Sequence, residues 1–352
     1  MTMSKYLSLL WLAPISAVAH VNWFVDHDTT VTHIEPYTLM DIESLAVAAG
    51  FTCILIGAYL THRFLKTRQP EFPALRYSTI VNLATTLRVV FGVSILLSSL
   101  QGSLFAPHFK PAAFAFPLLA IQAIAGVLII SGKALSVSCA LVFSIYCSLF
   151  IERGFIATME YVNISGILLF IWLLRFTASI QSAHPPDFSG PDKASLATFL
   201  SSVTVLRLTL GVALITLGWS EKLSNPDLAM AFINQHENIN FMKQLFPHFS
   251  DRTFILCCGA AEMLFGSIYI LGFVTRINTI MLSLFMLASN SYFFVQGLKD
   301  LAWMELLGHS PLIASAIVLI IAGKGLKLKE AWDHCTSSES SLLELQSSNK
   351  TA

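Results

Sequence analysis

Long apolar runs separated by short polar breaks divide the chain. After an apolar stretch near the N-terminus, nine segments of 18 to 23 residues follow. They run approximately over 44–62, 78–100, 113–132, 134–151, 156–175, 197–218, 253–274, 277–295 and 304–323. At about 1.5 Å of rise per residue, a helix of this length covers the roughly 30 Å hydrocarbon core of a bilayer. The runs lack the period-two alternation of a membrane barrel, and only a helix or a closed barrel spans lipid with its backbone satisfied. The pattern predicts an all-α polytopic membrane protein with about nine transmembrane helices.

The N-terminal stretch reads as a leader. Lys5 precedes the apolar run from Tyr6 to Ile15, and Ala17-Val18-Ala19 has the small-x-small form of a cleavage site. Cleavage after Ala19 makes His20 the mature N-terminus and places residues 20–43 outside. The alternative is an uncleaved anchor, since Pro14 interrupts the run. Lys and Arg then number twelve on the cytoplasmic side against six outside, which orients the N-terminus outward and the C-terminus inward. These features predict a bacterial-type inner (plasma) membrane location. The Ser-rich tail over 325–352 is expected to be disordered and cytoplasmic.

Composition agrees with the hydrophobic pattern. Hydrophobic residues make up 55% of the 352 and charged residues 12%, with a mean hydropathy of +0.69. Too little polar surface exists to cover a water-soluble particle, so the lipid bilayer is the first partner. The net charge of zero provides no basic field for nucleic acid. Cys53, Cys139, Cys147, Cys257, Cys258 and Cys335 form neither a C-x-x-C pair nor a metal-ligand spacing.

The chain also repeats itself. Leu87-Arg88-x-x-x-Gly92-Val93 recurs as Leu206-Arg207-x-x-x-Gly211-Val212. Gln122-x-x-x-Gly126 parallels Glu262-x-x-x-Gly266, and Met159-Glu160 parallels Met304-Glu305. The expected organisation is one helix with its cytoplasmic linker over 44–75, then a four-helix repeat over 76–175. A cytoplasmic linker over 176–194 leads to a second four-helix repeat over 195–324. An even helix count makes the two repeats parallel. The second carries Lys222, Glu262 and His309 where the first has Ser103, Gln122 and Ile164. This difference suggests an active unit and a supporting one, or simple divergence.

The second repeat resembles the DoxX-like family of four-helix membrane proteins. The resemblance rests on Arg207 with Gly211, Gly218-Trp219-x-Glu221-Lys222-Leu223-x-x-Pro226, Glu262-x-x-x-Gly266, Leu271-Gly272-x-x-x-Arg276 and Gly308-His309-x-Pro311. It covers roughly residues 200–325, with a weaker echo over 80–175. The family's relatives include the small subunits of thiosulfate:quinone oxidoreductase and MauE. The resemblance implies membrane redox or sulfur metabolism, with quinone as acceptor and a protein partner in a membrane redox complex.

Three groups of residues are candidates for chemistry. Arg207 and Glu262 sit mid-helix in neighbouring segments, and a mid-membrane charge is costly unless paired. An Arg207–Glu262 pair is therefore expected, either as a latch between helices or as a ligand anchor with Glu262 handling the proton. Trp219, Glu221 and Lys222 end the sixth segment near Glu305 and His309, which are four apart on one helical face. A His beside a carboxylate suits proton exchange with a quinone, or equally a hydrogen-bond network at a helix entry. Glu262, Glu305 and His309 are thus the catalytic candidates, and Arg207, Trp219, Glu221 and Lys222 the cofactor-binding ones. Finally, the amine and imidazole of a mature His20, with His27 and His33, make a nitrogen donor set suited to copper. On that alternative the protein handles metal or scaffolds a complex without being an enzyme; a transporter is a third reading. The loop over 219–252 is too long for a simple turn and predicts a short helix over the outer mouth of the second bundle.

Overall fold

The computed structural model describes residues 34–35, 37–38, 40–66, 75–106, 109–111, 115–174, 193–236 and 239–326. The leader, its cleavage site, His20, His27, His33 and most of the 176–194 linker lie outside them, as does the tail beyond 326.

The described residues are mostly helical, with no strand among them. The nine longest helices fall on the nine apolar runs. These are α1 (Ile42–Lys66), α2 (Tyr77–Leu100), α3 (Ala115–Ser131), α4 (Leu135–Met159), α5 (Val162–Leu173), α6 (Lys193–Leu217), α9 (Asp251–Leu271), α10 (Thr275–Val295) and α11 (Lys299–Ala322). The 219–252 loop supplies two short helices, α7 (Pro226–Gln235) and α8 (Met242–Leu245). Seven of the long helices are long and apolar enough to cross a membrane; α3 and α5 are apolar but shorter. The protein is thus an all-α, multi-pass membrane protein.

The shortness of α5 has a local cause. The expected break at 152–155 falls inside α4, where Gly154 adopts φ 84° and turns the chain. A side chain at that φ is strained, so glycine fits the bend. The chain then folds back. The Tyr146 hydroxyl donates to the Thr158 carbonyl at 2.8 Å, drawing Glu160 inward before α5 begins.

The two sequence repeats fall on α2–α5 and α6–α11, called here the first and second units, and corresponding residues do corresponding work. Arg88 donates to the Ile129 and Ile130 carbonyls at 2.6 and 2.9 Å, at the C-terminal end of α3. Arg207 reaches the Tyr269 and Ile270 carbonyls at the end of α9, the latter at 3.1 Å. A cation there satisfies carbonyls without an intrahelical partner and complements the helix dipole. Both helices then stop at a left-handed glycine, Gly132 (φ 73°) and Gly272 (φ 70°).

Glycine pairs set the helix spacing, as small residues do where membrane helices approach closely. A Cβ on Gly126 would meet the Gly92 carbonyl oxygen at 3.0 Å, and one on Gly266 would meet the Gly211 oxygen at 2.5 Å. A backbone carbonyl cannot swing aside. Gly266→Ala should therefore destabilise by about 1–3 kcal/mol, and Gly126→Ala by less. Apparent melting temperatures of the two variants in detergent check the order.

The units pack reciprocally: α5 of the first lies on α6 of the second, and α11 of the second lies on α2 of the first. Helix α1 packs on α9. Over one end of the second unit, Ala229 and Phe232 of α7, Ile239 and Phe241 form an apolar cap with Phe254, Cys258, Phe293 and Ala302. The segment before α1 is tied onto this cap. The Ile34 amide donates to Asp227 at 2.7 Å, the Tyr37 hydroxyl donates to the Arg252 carbonyl at 2.6 Å, and the Arg252 guanidinium lies 4.4 Å from the Tyr37 ring centroid.

Candidate ligand cavity

Beneath the cap, α6 does not end as an α-helix but widens into a π-helical segment, Gly218–Ser224. Segments of this kind re-aim side chains and recur at functional sites. Here Ser220, Glu221 and Lys222 all turn inward and are buried, while Trp219 stays exposed on the outside of the bundle. Gly218 and Gly259 allow the close approach: a Cβ on Gly218 would sit 2.6 Å from the Gly259 carbonyl oxygen. That contact brings Lys222 to Glu262, with Nζ 3.0 Å from Oε2 and both side chains sealed from solvent.

The Arg207–Glu262 pair expected from the sequence is replaced by this Lys222–Glu262 pair. Arg207 bonds instead to the backbone at Tyr269 and Ile270, and its Nε donates to the Lys324 carbonyl at 3.1 Å. Glu262 lies seven residues before Tyr269, about 10 Å away along α9. The depths differ because α6 begins before the apolar run and continues into the π segment, so the middle of the run is not level with the middle of α9. Arg207 latches helix ends together.

Between the units lies a cavity of about 320 Å³. Its walls are apolar, from Phe91 and Ile95 on α2, Leu210 and Leu214 on α6, Met286 on α10 and Leu312 on α11. Its polar groups include Glu262 of α9, Glu305 and His309 of α11, and Glu160 from the turn between α4 and α5. Leu287 and Ile313 line it too, yet are 63% and 42% exposed, so the cavity reaches the lipid-facing side of the bundle.

Several lining positions are matched across the two units. Phe91, Ser94 and Ile95 face Leu210, Ala213 and Leu214, their counterparts in the repeat; Glu160 has Glu305, Ile164 has His309, and Ile167 has Leu312. The cavity therefore straddles the seam between the units and extends into the second, toward α9 and α10.

Helix α11 is adapted to its place on the wall. His309 Nδ1 lies 3.8 Å from Glu305 Oε1, one turn apart and both buried. Pro311 has no N–H to offer the Leu307 carbonyl, and the Ser310 hydroxyl donates to it at 2.8 Å. The helix thereby passes a proline without an orphaned carbonyl beside the cavity.

The three catalytic candidates, Glu262, Glu305 and His309, thus line one cavity, the first from α9 and the other two from α11. The four cofactor-binding candidates do not line it. Glu221 and Lys222 stand behind Glu262, Trp219 faces outward and Arg207 caps helix ends. Sequence reasoning missed Glu160, whose side chain accepts a hydrogen bond from the Ser220 hydroxyl. The signal was present in the pairing of Met159-Glu160 with Met304-Glu305. Among the described residues no group of three His, Cys, Asp or Glu side chains forms a metal site. The copper donors His20, His27 and His33 are outside those residues.

Compared with protein-family models, curated proteins and solved structures, the chain matches none. The functional reading therefore rests on the cavity itself.

Proposed function

We propose that the chain is an integral membrane subunit of a quinone-linked redox system, with the cavity as its quinone site. The observation that carries this reading is the polarity of the cavity. Apolar walls reach toward lipid, and an acid–histidine group converges within, an arrangement suited to an isoprenoid tail and a hydrogen-bonding head group. A bound quinone supplies two-electron, two-proton acceptor chemistry. The chain's own residues bind and orient the head group. His309 offers a ring nitrogen at the polar end and is oriented by Glu305. Glu262 holds a proton or a charge, and Lys222 stabilises the charged form. The apolar cap that α7, Ile239 and Phe241 form shields this end from water. Electrons come, on this reading, from a partner protein at the capped face.

Further parts belong to the same proposal. Helices α3 and α5 cross the membrane as short spans, giving nine crossings behind a cleaved leader. The N-terminus is outside and the C-terminus cytoplasmic in an inner membrane, and the second unit is DoxX-like.

Solvent extraction and mass spectrometry of the detergent-purified protein test the reading. Close to one quinone per chain is expected, with affinity for a short-chain ubiquinone falling at least about tenfold in His309→Ala, the cost of roughly one buried hydrogen bond. Neither retained nor added quinone binding to the wild type would overturn it. Copper without quinone would move the function to His20, His27 and His33.

A further inference from the structure

We propose that Glu160, supplied by the first unit, is the acid through which the cavity exchanges protons with water. The proposal rests on the quinone reading for what the proton serves, but its own basis is the placement of Glu160.

The folded-back turn after Gly154 carries Glu160 from a charged rim to the cavity wall. At the rim, Glu152 and Arg153 pair at 3.6 Å and are exposed, and Arg153 donates to the Lys110 carbonyl at 3.5 Å. A few residues on, Glu160 is buried at 8% exposure and lines the cavity with Glu262, Glu305 and His309. The cap seals the end of the second unit with packed aromatic rings. The seam beside the π segment is a polar alternative.

The groups facing Glu160 suit an acid that changes state. Ser220 donates to it from the π segment, and the Glu221 and Lys222 charges act on it from the same segment. Glu262 on α9 and the Glu305–His309 pair on α11 share its cavity. Burial, with the Glu221 carboxylate beside it, pushes the Glu160 carboxyl up to about 7, so both forms are populated near neutrality. In the exchange the Glu160 carboxyl takes a proton from water at the turn and gives it to the polar end of the cavity, or the reverse. No electron moves in this step.

Infrared difference titration of quinone-free protein in lipid nanodiscs tests the assignment. The wild type should show a protonated-carboxyl band that fades with a midpoint about 7 and shifts promptly in deuterium oxide. Glu160→Gln should remove the Glu160 share of that band, leaving only what the Glu262 carboxyl contributes. Ser220→Ala should move the midpoint upward, because the lost hydrogen bond favoured the charged form. This second variant keeps the test open should Glu160→Gln fold poorly. A band unchanged in Glu160→Gln, a midpoint indifferent to Ser220→Ala, or a deuterium shift as slow as the core amides would each overturn the proposal. Binding of added short-chain ubiquinone to the same preparations separates the two readings. Quinone bound beside a silent Glu160 sinks the proton role alone. A titrating Glu160 without quinone sinks the quinone reading alone.

Discussion

Lys222→Met should be among the most damaging single substitutions in the chain, costing about 3–5 kcal/mol, because it leaves the Glu262 carboxylate sealed in the bundle without its cation. Among the described residues no other cation pairs with Glu262: Lys222 Nζ is 3.0 Å from its Oε2, and Glu221 adds a second negative charge nearby. Lys222→Met with Glu262→Gln should recover most of the loss, since a buried ion pair replaced by uncharged groups of similar size is often close to neutral. The first unit already carries such a solution. There Gln122 stands in the place of Glu262, and its amide nitrogen donates to the Ile95 carbonyl at 3.0 Å and the Ser99 hydroxyl at 2.9 Å. The ion pair is therefore not a requirement of the bundle, and its retention beside the cavity points to chemistry. Thermal unfolding of both singles and the double in one detergent gives the coupling directly. A double variant no more stable than Lys222→Met would show that the loss does not come from the uncompensated Glu262 carboxylate. The folded double variant should also lose quinone binding.

The placement of the long helices was legible because uninterrupted apolar runs leave the backbone little choice in lipid. The correspondence of Arg88 with Arg207, and of Gly92–Gly126 with Gly211–Gly266, was legible as well. Its meaning was not. Sequence shows which residues correspond, but not that the two units pack reciprocally, which turns the Glu160–Glu305 correspondence into two acids on one cavity. Each unit thus contributes a carboxyl to the cavity lining, Glu160 from the first and Glu305 from the second. Depth was the other hidden quantity. Counting from the ends of apolar runs placed Arg207 level with Glu262, and neither the early start of α6 nor the π segment leaves a mark in hydropathy. The break at Glu152-Arg153-Gly154 is visible, but hydropathy does not show that helix resumes after Gly154 and runs to Met159, which is what shortens α5.

Arg207 offers the second large effect and separates architecture from ligand binding. It is buried, and its guanidinium serves the carbonyls of Tyr269, Ile270 and Lys324, tying α6 to the end of α9 and to the turn after α11. Arg207→Met leaves those acceptors without a donor, at about 1–3 kcal/mol for each that water cannot reach. A total loss of about 3 kcal/mol or more is expected. Arg88→Met should cost less, since Arg88 serves two carbonyls, at Ile129 and Ile130, from a less buried position. Because Arg207 does not line the cavity, quinone affinity in the folded fraction of Arg207→Met should stay within about twofold of the wild type. Melting temperature and dissociation constant, measured on one preparation, make the distinction. A tenfold loss of affinity with little loss of stability would return Arg207 to the ligand site. The opposite pattern fixes it as the clasp that holds the ends of α9 and α11 to α6 while the chemistry proceeds elsewhere, at Glu262 and His309.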